Sequence, residues 1–155
     1  MKFRVRPRTI DDLRLVVGWV PDADALYLLT GPRLHWPLTE SQLSDMEGQD
    51  GFTAWVLVGD QSDDPVGHFD LTLHRETAHL GRVIIAPQMR GRGFAHDLVA
   101  NVIQQARRLG ASDLLLNVIT GNEPAIRAYK RAGFVNLAQA ARPGVQSMTR
   151  SLDRL

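Results

Sequence analysis

Residues 84–99 read IIAPQMRGRGFAHDLV. An apolar run closes on Pro87, two arginines alternate with two glycines at Arg90, Gly91, Arg92 and Gly93, and apolar residues at helical spacing begin at Phe94. Glycines at a strand-to-helix junction let backbone N–H groups converge on one point. The start of a helix adds unpaired donors and a partial positive charge. The junction therefore reads as an anion site suited to phosphate, with Arg90 and Arg92 offering charge-assisted contacts. It is not a P-loop, because no Gly-Lys-Ser/Thr follows, and the dinucleotide fingerprint fails where His96 stands in place of glycine. A glycine pair also serves a plain tight turn, so the surrounding pattern has to decide.

Downstream, Phe94, Ala95, Leu98, Val99, Val102, Ile103 and Ala106 recur every three or four residues, which predicts a helix ended by Gly110. Residues 114–119 read as a buried strand, and Asn122 caps a last helix with Pro124 in its first turn. Strands follow from Phe134 and over residues 146–152. Upstream, residues 52–58, 66–74 and 79–86 form a run of antiparallel-type strands. In the second of these, Phe69, Leu71 and Leu73 alternate with His68, Asp70, Thr72 and His74. Residues 3–6 read as a short strand. Thr9-Ile10-Asp11-Asp12 and Thr39-Glu40-Ser41-Gln42 have the shape of helix starts. Residues 22–36 contain Gly31-Pro32 and Trp36-Pro37 and are expected to be loops. Strand, two helices, three strands, helix, strand, helix and two strands make a mixed α/β (α+β) layer, read as one domain over residues 1–155.

Composition bounds the chemistry. The chain has 155 residues, 44% hydrophobic and 23% charged, and no cysteine, which excludes disulfides, thiolate metal sites and cysteine nucleophiles. No apolar run reaches the roughly 18 residues of a membrane span. The start lacks the apolar core of a leader, so a cytoplasmic protein is expected. The net charge of +1 divides unevenly: residues 1–75 carry 12 acidic and 7 basic residues, residues 76–155 carry 5 and 11. That split suggests an anionic ligand on the second half and a cationic one on the first.

Arg90-x-x-Gly93-x-Ala95 resembles the Arg/Gln-x-x-Gly-x-Gly/Ala signature of the GNAT superfamily of acetyl-CoA-dependent N-acetyltransferases. Asn122-x-x-Ala125-x-x-x-Tyr129-x-x-x-Gly133-Phe134 resembles a second segment of that family, in the right order and about 30 residues on. The resemblance covers residues 52–152 well and residues 1–50 only in element order. It implies a mostly antiparallel sheet of about 6–7 strands, helices on both faces, and a splayed, V-shaped cofactor cleft. It further implies that Val83, Ile84 and Ile85 hydrogen-bond the pantetheine arm of acetyl-CoA. Arg90, Gly91, Arg92, Gly93, Phe94 and Ala95 would hold its pyrophosphate, and Asn122, Ala125 and Tyr129 would line the far side. The implied activity is acetyl transfer to a primary amine by direct attack in a ternary complex.

Tyr129 stands where the family has its general acid, and a phenol stays protonated near neutral pH. Residues 78–86 hold no acidic side chain, unlike many family members, so the base is open between a water relay and His79, with His68 and Asp70 on the next strand. Trp36 and Asp70 are the candidate acceptor contacts, and a small-molecule acceptor is expected. A protein N-terminal or lysine acetyltransferase and a non-catalytic CoA-binding domain are the alternatives. His74 lies too far along its strand to join His68 and Asp70 around a metal, so no metal is expected. Near-neutral charge without interleaved aromatics argues against nucleic acid. A homodimer is expected by family analogy.

Overall fold

The computed structural model describes residues 2–152. Seven strands form one sheet: β1 (Phe3–Pro7), β2 (Phe52–Gly59), β3 (Pro65–His74), β4 (Thr77–Ile85), β5 (Asp113–Ile119), β6 (Val135–Asn136) and β7 (Val145–Ser151). Their order is β1-β2-β3-β4-β5-β7-β6. All neighbours are antiparallel except β4 and β5. Helices α1 (Ile10–Val17), α2 (Ala23–Thr30) and α3 (Glu40–Ser44) cover one face; α4 (Phe94–Arg108) and α5 (Glu123–Arg131) cover the other.

Each face buries its own core. Phe69, Leu71, Ala78, Leu80, Leu114 and Leu116 meet Leu98, Val102 and Ile126 under α4 and α5. On the opposite face, Ile84 and Ala86 meet Leu13, Val16, Leu26 and Leu43. This double burial explains why β3 hides both of its alternating sets: Phe69 and Leu71 are fully buried, and so is His68.

Residues 22–36, expected as loops, contain α2 and a 3-10 turn at Gly31–Arg33. The breakers at Pro21 and Gly31-Pro32 bound an eight-residue helix instead of marking irregular chain. Asp22 caps it, its carboxylate accepting from the Ala25 N–H at 2.8 Å. This correction matters, because α2 packs across β4 and β5 and forms one wall of the site.

Strand β4 organises the cleft. Its parallel pairing with β5 runs from Thr77 opposite Asp113 to Leu80 opposite Leu116 and ends there. Its pairing with β3 shifts register between Asp70, opposite Gly81, and His68, opposite Ile84. Two residues, Arg82 and Val83, thus stand against Phe69 alone, a β-bulge. Arg82 adopts φ 45°, a left-handed conformation for a non-glycine residue. The bulge flips the side-chain alternation: His79 and Gly81 face α1–α3, whereas Val83 and Ile85 face α4.

Candidate functional site

Beyond Leu80, the β4 edge facing β5 is open. The Ala86 N–H turns to the Val66 carbonyl on β3 at 3.0 Å. By strand alternation, the backbone groups of Val83 and Ile85 point to the open edge and those of Ile84 to β3. Ile84 is fully buried in the α1–α3 core, so of the three expected donor contacts on this strand only Val83 and Ile85 reach the cleft. A cavity of about 460 Å³ fills the splay, lined by both of them and by Leu98, Leu116, Asn122, Ala125 and Tyr129.

The arginine–glycine loop stands at one end of this cavity. Gly91 and Gly93 have φ of 72° and 76°, and a Cβ at either would meet nothing within 4 Å. Gly93 is the N-cap of α4 with no side chain closing the helix end; the His96 N–H donates to the Gly93 carbonyl at 3.2 Å, which leaves the Phe94 and Ala95 N–H groups at the very start of the helix without a side-chain cap. Gly91, Gly93, Phe94 and Ala95 line the cavity, as does Arg90. The Arg90 guanidinium is engaged with backbone, donating to Ile85 at 3.2 Å and to Trp19 at 3.0 Å. It braces the loop against β4 and the end of α1. Arg92 donates to the Gln88 carbonyl at 3.2 Å and is exposed, away from the residues lining the cavity.

On the far wall, Asn122 caps α5 through Ala125 and donates to the Leu28 carbonyl of α2 at 3.4 Å. Tyr129 packs edge-on against Phe134 with centroids 5.5 Å apart. It is 6% exposed and lines the cavity. Burial pushes its phenol well above the ordinary value, so it holds its proton at all physiological pH.

A second cavity, about 770 Å³, lies on the α1–α3 face under Leu29, Thr30, Arg33 and Leu34. It shares Leu29, Leu80, Gly81, Arg82 and Asn117 with the first, so the two adjoin where β4 and β5 part. His79 and Asp70 line it. Burial, with help from the Arg33 charge, lowers the His79 pKa. Burial also raises the Asp70 carboxyl to about 6 against the pull of Arg82, whose Nε lies 2.8 Å from Oδ2. Gly81 sits opposite Asp70, and a Cβ there would come within 2.8 Å of Oδ1. The glycine makes room for the carboxylate over β4. Trp36 is 45% exposed, apart from the residues lining either cavity. Among the described residues no cluster of His, Asp or Glu has metal-site geometry, and no helix is long and apolar enough to cross a membrane.

A buried polar chain supports the bulge, and its members are dispersed in sequence. Glu47 pairs with Arg8 at 2.7 Å, and Arg8 Nη1 donates to His68 Nε2 at 3.1 Å. Since guanidinium only donates, His68 carries its proton on Nδ1 and donates it to the Arg82 carbonyl at 2.8 Å. Burial lowers the His68 pKa to about 3. The unfolded chain therefore takes the proton first, and the stability from a neutral His68, complete above about pH 6.5, drains as pH falls towards 3. Asp70 runs oppositely between its raised value and about 3.8. The urea midpoint is expected to fall more between pH 7 and pH 5 in the wild type than in His68→Gln. An equal fall in both removes His68 from the acid limb.

Comparison with known proteins places the fold in context. The model of the acetyltransferase (GNAT) family matches residues 23–134. Streptothricin acetyltransferase of Streptomyces lavendulae is 44% identical over 50 residues, 32% of this chain and 26% of that protein. The chain thus matches only about a quarter of the length of this curated relative. Spermidine N-acetyltransferase of Vibrio cholerae, solved with CoA and spermine, superposes with a TM-score of 0.76 at 18% identity, over 97% of this chain and 96% of that one. A putative phosphinothricin N-acetyltransferase superposes at 0.77 and 18% identity, over 99% and 100%. The family match spans the arginine–glycine loop, the open edge of β4 and the Asn122–Phe134 segment, and on this evidence the chain belongs to the acetyltransferase (GNAT) family.

Proposed function

We propose that the protein transfers an acetyl group from acetyl-CoA to a primary amine of a small molecule, by direct attack with both substrates bound. The observation that carries this reading is the junction of two cavities from opposite faces of one sheet at Gly81, Arg82 and Asn117. A donor and an acceptor can enter separately and meet there. The residues present fit CoA. The open β4 edge matches an extended amide-bearing arm, and the bare start of α4 behind two left-handed glycines matches a pyrophosphate. Bound there, acetyl-CoA supplies an activated thioester.

The chain's own groups then divide the work. The Val83 N–H, first on the open edge past the bulge, polarises the thioester carbonyl. Asp70 faces the acceptor ammonium. His79, held neutral by burial, takes its proton, directly or through one water. Tyr129 gives its proton to the departing sulfur. The size of the acceptor cavity, about 770 Å³ beside Leu29, Thr30, Arg33 and Leu34, supports a small molecule over a protein chain. The Tyr129 phenol lining the cleft supports chemistry over mere CoA binding.

Free-thiol release from acetyl-CoA, measured across an amine panel, tests the reading. Amine-dependent release is expected. CoA binding with no release for any amine would support a non-catalytic domain instead. His79→Gln is expected to lower kcat/KM by about 100-fold and to abolish its acid-side fall, which lies below the ordinary histidine range because burial lowers the His79 pKa. If that fall persists in the variant with a midpoint near the Asp70 value of about 6, Asp70 is the base.

A further inference from the structure

The acceptor cavity has a charge that the acetyl-transfer reading does not use. Four arginines line it, Arg33, Arg75, Arg82 and Arg142, against one carboxylate, Asp70. Asp70 is matched by Arg82. The other three make no ion pair or side-chain hydrogen bond among the described residues. Near the start of the chain, by contrast, Arg4 and Arg6 hold Asp63, Arg6 holds Asp12, and Arg8 holds Glu47.

The three free arginines come from separate, braced segments. Arg33 ends the 3-10 turn between buried Gly31 and buried Leu34. Arg142 is half-buried in the loop before β7. That loop is pinned by the Ala141 N–H on Ser147 Oγ at 2.9 Å and the Thr120 N–H on the Gly144 carbonyl at 3.0 Å. Arg142 Nη2 lies against Gly31, where a Cβ would come within 3.0 Å, so Arg142 and the turn bearing Arg33 close on each other. Arg75 stands at the β3–β4 turn with φ 56°. Guanidinium forks match carboxylate, phosphinate and phosphonate oxygens, often two bonds at a time. A polycation in the same place faces like charges, which disfavours binding strongly.

We infer that the acceptor is an amine that also carries an anionic group, a carboxylate or phosphorus oxyanion, gripped by Arg33 and Arg142 while its amine faces Asp70 at the β4–β5 gap. This rests on the proposed acetyl transfer. Leu29, Leu34 and Ile119 in the same lining favour an apolar body, as in an aliphatic amino acid.

The test uses matched acceptors: L-leucine with L-leucinamide, 3-aminopropylphosphonate with propylamine, and spermidine as a polycation. Thiol release should give the anionic member of each pair at least about tenfold the kcat/KM of its partner, with spermidine the poorest. Arg33→Gln and Arg142→Gln should each raise the KM of the anionic acceptor by about tenfold while the KM for acetyl-CoA moves less than about twofold. A preference for spermidine, or arginine variants that leave the acceptor KM in place, overturns the inference. If no amine releases thiol, the acetyl-transfer reading fails by itself. Calorimetry of N-acetyl-L-leucine and N-acetyl-L-leucinamide with CoA-loaded protein then decides the anion site. Tighter binding of the carboxylate, lost in Arg142→Gln, upholds it; equal binding or none overturns it.

Discussion

Tyr129→Phe is expected to lower kcat by about 10- to 1,000-fold, with acetyl-CoA affinity nearly intact. The sulfur of CoA leaves as a thiolate, and a positioned proton lowers the cost of that departure. Tyr129 is buried, raised in pKa by that burial alone, and set beside Ala125 and Asn122 on the cleft wall. Phenylalanine keeps the edge-on contact to Phe134 and removes only the proton. Single-turnover acetyl transfer compared with CoA binding by calorimetry separates the two. A kcat within twofold of wild type would show that the phenol only packs.

Gly93→Val is expected to weaken acetyl-CoA binding by about 100-fold, or about 2.7 kcal/mol. Two effects add. At φ 76° an L side chain costs about 1–2 kcal/mol, and a β-branched one suits that conformation least. The new Cβ also fills the open space in front of the first turn of α4, where a pyrophosphate would lie against bare N–H groups. The melting temperature without ligand should drop by only a few degrees, because the site is exposed. An unchanged dissociation constant would move the pyrophosphate elsewhere.

Much of this was legible in the sequence, because the informative features are local. The periodicity of residues 94–106, the glycine pair and the Asn122–Phe134 spacing each sit within one element, and the structure has those elements. The short helix α2 was hidden by its setting, since eight residues between prolines and a glycine look like loop. The bulge had no signal, because Arg82 is not a residue type that announces left-handed backbone. The acceptor-side arginines were invisible for a different reason. Arg33, Arg75 and Arg142 are scattered across three connections, and only the fold brings them to one cavity. Net charge by halves pointed the opposite way, since it sums over all of residues 1–75 and not over the lining of one cavity.

The bulge in β4 places a charge. One strand lines two cavities on two faces, and a single extra residue switches its numbering phase between Gly81 and Val83. Deleting Arg82 would set Val83 alone against Phe69 and leave Gly81 opposite Asp70 and Ile84 opposite His68, but it would remove the guanidinium beside Asp70. Side chains along this strand can be exchanged one at a time, each at its own local cost. The extra residue therefore serves to set the Arg82 guanidinium beside Asp70, since the two faces of the strand would keep their side chains without it.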